Sequence, residues 1–151
     1  MSNSDRRRAL VPHAECPLAL TIDALGDRWL LLILRELFYG VSRFDDLLAD
    51  LGAPRSTLSA RLSKLVELGI VTREPYQEPG QRTRHRYVLT GAGRDFALPL
   101  IALTQWGEVH ITGRPAPVQT VHRKTGVGLR VELRSARGQR VTLDEGRIRK
   151  R

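Results

Sequence analysis

The segment from Arg43 to Tyr87 constrains this chain most, because two short helical patterns separated by a glycine and proline break run directly into a β-branched stretch and an arginine-rich turn. Phe44, Leu47 and Leu48 fall at helical spacing, which predicts a short amphipathic helix over Arg43 to Ala49. Leu51-Gly52-Ala53-Pro54 interrupts it. Glycine tolerates unusual backbone angles, and proline disfavours helix in the residue before it while suiting a helix's first turn. A second helix is therefore expected from near Pro54. Leu58, Leu62 and Leu65 recur at i, i+4 and i+7 as its core stripe, leaving Ser56, Ser59, Ala60, Ser63 and Lys64 on other faces. That outer face is short-chained and polar.

Such a face can approach base edges in a major groove roughly 12 Å wide, where hydroxyls exchange hydrogen bonds with bases and small apolar groups meet a thymine methyl. In a helix-turn-helix the start of the second helix meets the bases, so Arg55, Ser56 and Thr57, with Ser59 and Ala60, are candidates for base reading. Arg61 and Lys64 are candidates for phosphate contact, with Ser63 beside them. Gly69 suits the left-handed position that ends a helix, and Ile70-Val71-Thr72-Arg73 reads as a strand. Arg86-Tyr87-Val88-Leu89 reads as its partner. Pro79-Gly80 marks the turn between them, and Gln81, Arg82, Thr83, Arg84, His85 and Arg86 follow without an acid. A basic hairpin of this kind can lie along phosphates or push an arginine into the minor groove. Each piece alone also fits a solvated surface helix or turn; the order helix, turn, helix, hairpin points to double-stranded DNA.

With these residues in place the chain resembles the HxlR-type winged helix-turn-helix regulators of the MarR-like superfamily, bacterial and mostly dimeric transcription factors. The matching residues are Cys16-Pro17-Leu18, Leu25-Gly26-Asp27-Arg28-Trp29, Leu31 to Leu37, Gly40, and Arg43-Phe44. They continue with Leu58-Ser59-Ala60-Arg61-Leu62, Leu65, Gly69-Ile70-Val71, Arg73, Tyr87, Leu89-Thr90, Gly93 and Trp106. The likeness covers roughly residues 14 to 112 and implies a mainly α fold with a small antiparallel β wing. Three departures stand out. Ala53-Pro54 replaces the Ile-Ser pair that often opens the recognition helix, so the usual serine cap is missing; the interval Pro79 to Tyr87 is longer and richer in arginine; and residues 114 to 151 lie outside the common core. Some longer relatives end in a cysteine-bearing hairpin, of which His122-Arg123-Lys124-Thr125-Gly126 and Arg134-Ser135-Ala136-Arg137-Gly138 resemble a remnant without any cysteine. A structural zinc needs four nitrogen or sulfur ligands, so no metal or other cofactor is assigned.

The expected organisation is a flexible basic arm over residues 1–13, a DNA-binding and dimerisation domain over 14–113, and a basic extension over 114–151. One cysteine excludes an internal disulfide framework and fits a reducing compartment. No apolar run approaches the roughly 18 residues of a membrane span, and Arg6-Arg7-Arg8 lacks the apolar stretch of a signal peptide, so a cytoplasmic protein without a membrane partner is expected. The formal charge of +9 suits a polyanion partner. Residues 1–113 hold 14 Lys and Arg against 13 Asp and Glu, whereas residues 114–151 hold 11 against 3. Val127 to Arg134 alternates apolar and charged residues, which predicts a strand pairing with Val141-Thr142-Leu143 as a basic C-terminal hairpin. It reads equally as a flanking DNA contact or as a solubilising appendage.

A helix is expected after Thr90, whose hydroxyl can cap it, with a kink at Pro99. Its apolar residues Phe96, Leu98, Leu100, Ile101, Leu103, Trp106 and Val109 cover more of the circumference than one core-facing stripe requires. Leu98, Ile101, Leu103, Trp106 and Val109, with Leu18 and Ile22 of an N-terminal helix, form the candidate homodimer interface. A two-fold dimer would set two recognition helices about 34 Å apart and read an inverted repeat. The resemblance implies an oxidant- or electrophile-sensing role for Cys16, because sensors in the family carry a cysteine at this Cys-Pro position. Trp29, Phe38, Tyr39 and Phe96 are candidate walls of a small-molecule effector cavity, though aromatics at helical spacing more often make plain core. His13, His85, His110 and His122 are scattered, and no nucleophile arrangement or phosphate-binding glycine loop is present, so no catalytic residue is assigned and an enzyme is not expected. The expectation is a sequence-specific repressor; a basic nucleic-acid-binding or protein-interaction module on the same scaffold is the alternative.

Overall fold

Leu30, Ile33, Leu34 and Leu37 line one side of a helix, and the rest of the core closes on that stripe. The computed structural model describes residues 11–149, so most of the expected basic arm lies outside the described residues. After a 3-10 turn over His13–Glu15, helix α1 spans Pro17–Leu25, with Pro17 in the first turn where its missing N–H costs no helical bond. Helix α2 spans Arg28–Phe38, and Asp27 caps it by accepting from the Trp29 and Leu30 N–H groups at 3.0 and 3.3 Å.

Helices α3 (Phe44–Leu51) and α4 (Arg55–Glu67) form the helix-turn-helix, joined through Gly52 at φ 60°, a left-handed conformation that a side chain would strain. Leu47 of α3 and Leu58, Leu62 and Leu65 of α4 are fully buried against the α2 stripe, as the leucine spacing predicts. Val71 closes the core from the start of the wing.

The wing is a two-stranded antiparallel sheet, β1 (Val71–Tyr76) with β2 (Arg84–Leu89), in register from Val71 opposite Leu89 to Tyr76 opposite Arg84. Arg43 adds a single bridge to Arg86, and the Tyr87 N–H donates to the Ser42 carbonyl at 2.8 Å. Both strands run further than the β-branched residues indicate, so Arg84 and His85 join Arg86 on the second strand rather than standing at the tip.

The segment after Thr90 forms two helices, α5 (Gly91–Asp95) and α6 (Ala97–Gly107), broken at Phe96. Thr90 caps α5, its hydroxyl accepting from the Gly93 N–H at 3.1 Å and donating to the Gly69 carbonyl at 2.7 Å. Pro99 sits in the first turn of α6, where a backbone N–H has no helical partner to lose, so the interruption falls at Phe96 and not at the proline.

The expected C-terminal hairpin is not shown. Beyond Gly113 the chain makes single bridges, Val121 with Gly128 and Arg134 with Arg140, around turns in which Gly126 and Gly138 are left-handed. No strand forms over Val127 to Arg134. The alternation there has no second layer to bury an apolar face, and without one a two-stranded hairpin is marginal in water.

Candidate nucleic-acid interface

The stripe that buries Leu58, Leu62 and Leu65 turns Ser56, Ser59, Ala60 and Ser63 outward, a continuous exposed face about two turns long. Thr57 and Lys64 are half-buried at its edges. No side chain caps α4, because Pro54 occupies the capping position, and this leaves the first N–H groups of the helix for an external acceptor. Arg55 is exposed, with its guanidinium over the Phe44 ring at 5.1 Å and Nη2 donating to Asp45 Oδ1 at 3.3 Å.

Arg61 is occupied within the protein. Its Nε and Nη2 donate to the two carboxylate oxygens of Asp27 at 3.0 Å each, a two-point grip that ties the middle of α4 to the start of α2. The hydrogen bonds from Arg61, aided by those from Leu30 and Trp29 N–H, hold the Asp27 carboxyl below the usual carboxylate range against the opposing effect of burial. The same bonds raise the Arg61 guanidinium.

Gln81, Arg82, Thr83, Arg84, His85 and Arg86 are all exposed on the wing. Their charges are not equally available. Arg86 donates to Glu74, its partner across the sheet, at 2.9 and 3.1 Å, and Arg84 lies 4.0 Å from Asp45 Oδ2. Among the described residues Arg82 makes no ion pair and presents its whole charge to solvent. Two further cations escaped the sequence reasoning: Arg43, which pairs with Glu78 at 2.7 Å and covers the Tyr76 ring at 4.8 Å, and Arg73, which donates to His85 Nδ1 at 3.1 Å. Arg43 precedes α3 and no local motif marks it as part of the wing; its contacts with Tyr76, Glu78 and Arg86 do. Asp45 also matters in a way its place on α3 did not signal. One carboxylate reaches both Arg55 at the start of α4 and Arg84 on the wing, so helix and wing present their cations on one side.

Away from this surface, Leu18, Ile22, Leu98, Leu103, Trp106 and Val109 are exposed, while Ile101 is half-buried. Trp106 is 56% exposed, an unusual cost for so large an apolar ring, and its one aromatic partner among the described residues is His110, with centroids 5.0 Å apart. Cys16 is a free, half-buried thiol at the residue preceding α1. Of the four candidate cavity walls, Phe38 and Tyr39 line a real cavity, whereas Trp29 and Phe96 pack against the core. No group of metal-ligating side chains occurs among the described residues, and no helix among them is long and apolar enough to cross a membrane.

Residues 24–114 match the model of the HxlR-like helix-turn-helix family. An uncharacterised HTH-type transcriptional regulator of Mycobacterium tuberculosis is 47% identical over 107 residues, 70% of this chain and 66% of its own length. The chain thus spans just under two thirds of that relative. Among solved structures, PA1607, described as a transcription factor, superposes with a TM-score of 0.76 at 33% identity, covering 91% of this chain and 96% of its own. Such coverage cannot be reached without part of residues 114–151. The redox regulator HypR in its reduced form superposes with a TM-score of 0.56 at 26% identity, over 62% of this chain and 92% of its own. With its α2–α4 core, basic wing and matched span, this chain belongs to the HxlR-like helix-turn-helix family, a family of transcriptional regulators and not of enzymes.

Proposed function

We propose that the protein is a sequence-specific DNA-binding repressor that acts as a homodimer on an inverted-repeat operator. The observation that carries this reading is the shared carboxylate of Asp45, which gathers Arg55 and Arg84 beside the small polar face of Ser56, Ser59, Ala60 and Ser63. That face is shallow enough to enter the major groove, and the uncapped start of α4 offers N–H groups to a phosphate. Arg82 then follows the backbone or the minor groove from the wing. Arg61 serves as a buttress for α4. The apolar surfaces of α1 and α6, Leu18, Ile22, Leu98, Leu103 and Trp106, with Val109 just past the end of α6, supply the dimer contact, with Ile101 at its edge.

A mobility shift on DNA upstream of the protein's own gene, with excess unrelated duplex as competitor, tests this. A discrete band that survives competition is expected, and a smear abolished by competitor overturns operator reading. Sedimentation of the free protein tests the dimer; a monomer at micromolar concentration refutes it. Cys16, poised at the start of α1 beside the dimer surface, is proposed as an oxidant-responsive residue, a reading supported by the likeness to HypR, a redox regulator. Diamide should weaken DNA binding of the parent and not of Cys16→Ser; equal responses dismiss it.

A further inference from the structure

The extension is anchored on α6. Gln105 treats Val131 as a strand would: its side-chain oxygen accepts from the Val131 N–H at 2.7 Å and its amide nitrogen donates to the Val131 carbonyl at 3.5 Å. One turn further on, Glu108 accepts from the Ala116 N–H at 2.7 Å. Two helical side chains thus hold the two ends of residues 116–131 and leave the middle spanning open space.

The space beneath is a cavity of about 550 Å³ between the end of α2, the flank of α6 and this span. Such a volume falls in the range of small-molecule sites, roughly 300–1,000 Å³. Phe38, Leu100, Ile101 and Leu129 give it apolar walls, and two cations stand at the lining, Arg35 and Arg130. Arg35 turns Nε and one Nη toward the buried Glu36, which fixes the planar fork and leaves its remaining N–H groups free. Arg130 is exposed and makes no hydrogen bond or ion pair among the described residues. Glu108 is the one acid of the lining, and the Ala116 N–H already occupies one of its carboxylate oxygens. An apolar chamber with uncommitted guanidinium donors fits one chemistry: an organic anion with a hydrophobic body.

We propose that this cavity binds an amphipathic organic acid, its apolar part against Leu100, Ile101 and Leu129 and its carboxylate or sulfonate on Arg130 and Arg35, with the C-terminal extension as the outer wall. The extension is then a ligand-binding element. Its basic character serves a small anion as well as a solvated surface. Seated against α6, the ligand bears on the helix whose other flank carries Leu103 and Trp106, so occupancy shifts the dimer geometry wherever the two arrangements bind it with different affinity. The proposal rests on the regulator reading only for that last consequence.

Titration of the full chain with 8-anilinonaphthalene-1-sulfonate, followed by competition with decanoate or with decyltrimethylammonium, tests it without DNA, so the result stands whatever the operator assay shows. Saturable binding near one probe per chain is expected, displaced by decanoate and not by the cationic surfactant below its micelle concentration. Arg130→Gln should weaken decanoate about tenfold, the loss of one charge-assisted contact. Leu129→Trp, which fills the chamber from the extension, should abolish the competition while α1 and α6 stay unaltered. Equal displacement by both surfactants, or decanoate affinity unchanged in Arg130→Gln and Leu129→Trp variants that melt like the parent, overturns the proposal.

Discussion

Between Leu25 and Val71 eleven apolar residues are buried, whereas residues 114–149 contribute none. The winged core is held by leucines that meet across three helices. The extension is held by polar groups: Gln105 on Val131, Glu108 on Ala116, Glu132 between Arg134 and Arg140, and Thr142 with Glu145 in a capping box. The comparison teaches that a segment too small to bury a core takes its shape from anchors on a neighbour. Its stability is then a sum of modest hydrogen bonds, each worth about 0.5–1.5 kcal/mol.

The largest expected contrast is between core truncations and surface ones. Leu62→Ala removes a fully buried side chain at the centre of the leucine cluster and should cost about 2–5 kcal/mol in urea unfolding. Asp27→Ala comes next, because it removes both the α2 cap and the grip on Arg61, at about 1–2 kcal/mol. The pH dependence has a definite sign. The carboxyl of Asp27 is lowered in the folded state, so its contribution is complete above the ordinary carboxylate range and is lost as pH falls through the lowered folded-state value. Asp27→Ala should therefore close the gap to the parent in strong acid; a gap constant from neutral to strongly acidic pH would show the ion pair to be inert.

On DNA the contrast is between the wing and the extension. Arg82→Ala should reduce the slope of log affinity against log salt by about 0.9, the value for one phosphate. Arg137→Ala in the extension should leave that slope unchanged, and an equal loss in both variants would return the extension to the DNA surface. Leu143→Ala, at a side chain 82% exposed, should move stability by no more than about 0.5 kcal/mol.

The helix-turn-helix was legible because one physical rule writes it: leucines at i, i+4 and i+7, a left-handed glycine in the turn and another at the end. The wing was legible in kind and short in extent. Glu74, Pro75 and Tyr76 have poor or mixed strand character, yet they pair with Arg86, His85 and Arg84 because the register from Val71 carries them there. The four candidate cavity aromatics divide, Trp29 and Phe96 on the core and Phe38 and Tyr39 on the cavity, for a different reason. An aromatic at helical spacing faces core or cavity according to what lies opposite, and what lies opposite Phe38 and Tyr39 is a segment some eighty residues later in the chain. The extension misled most, since alternation predicts a strand only where a second layer exists to take its apolar side. The role of Gln105 left no local trace, because its partner is a backbone amide 26 residues away.

The Asp45 carboxylate lies between Arg55 and Arg84, Oδ1 3.3 Å from one guanidinium and Oδ2 4.0 Å from the other. Any nucleic acid that engages both guanidiniums must first turn this carboxylate out, and the anion so released then faces the duplex from α3. Engagement is thus an exchange of one anion for another, with the net attraction reduced by whatever repulsion Asp45 retains. A weak, poorly seated encounter gains little from such an exchange, while a register that also satisfies the serine face gains in full. On the proposed operator reading, an acid at the edge of a basic surface in this way would sharpen discrimination between the right duplex and all others, at the expense of raw affinity.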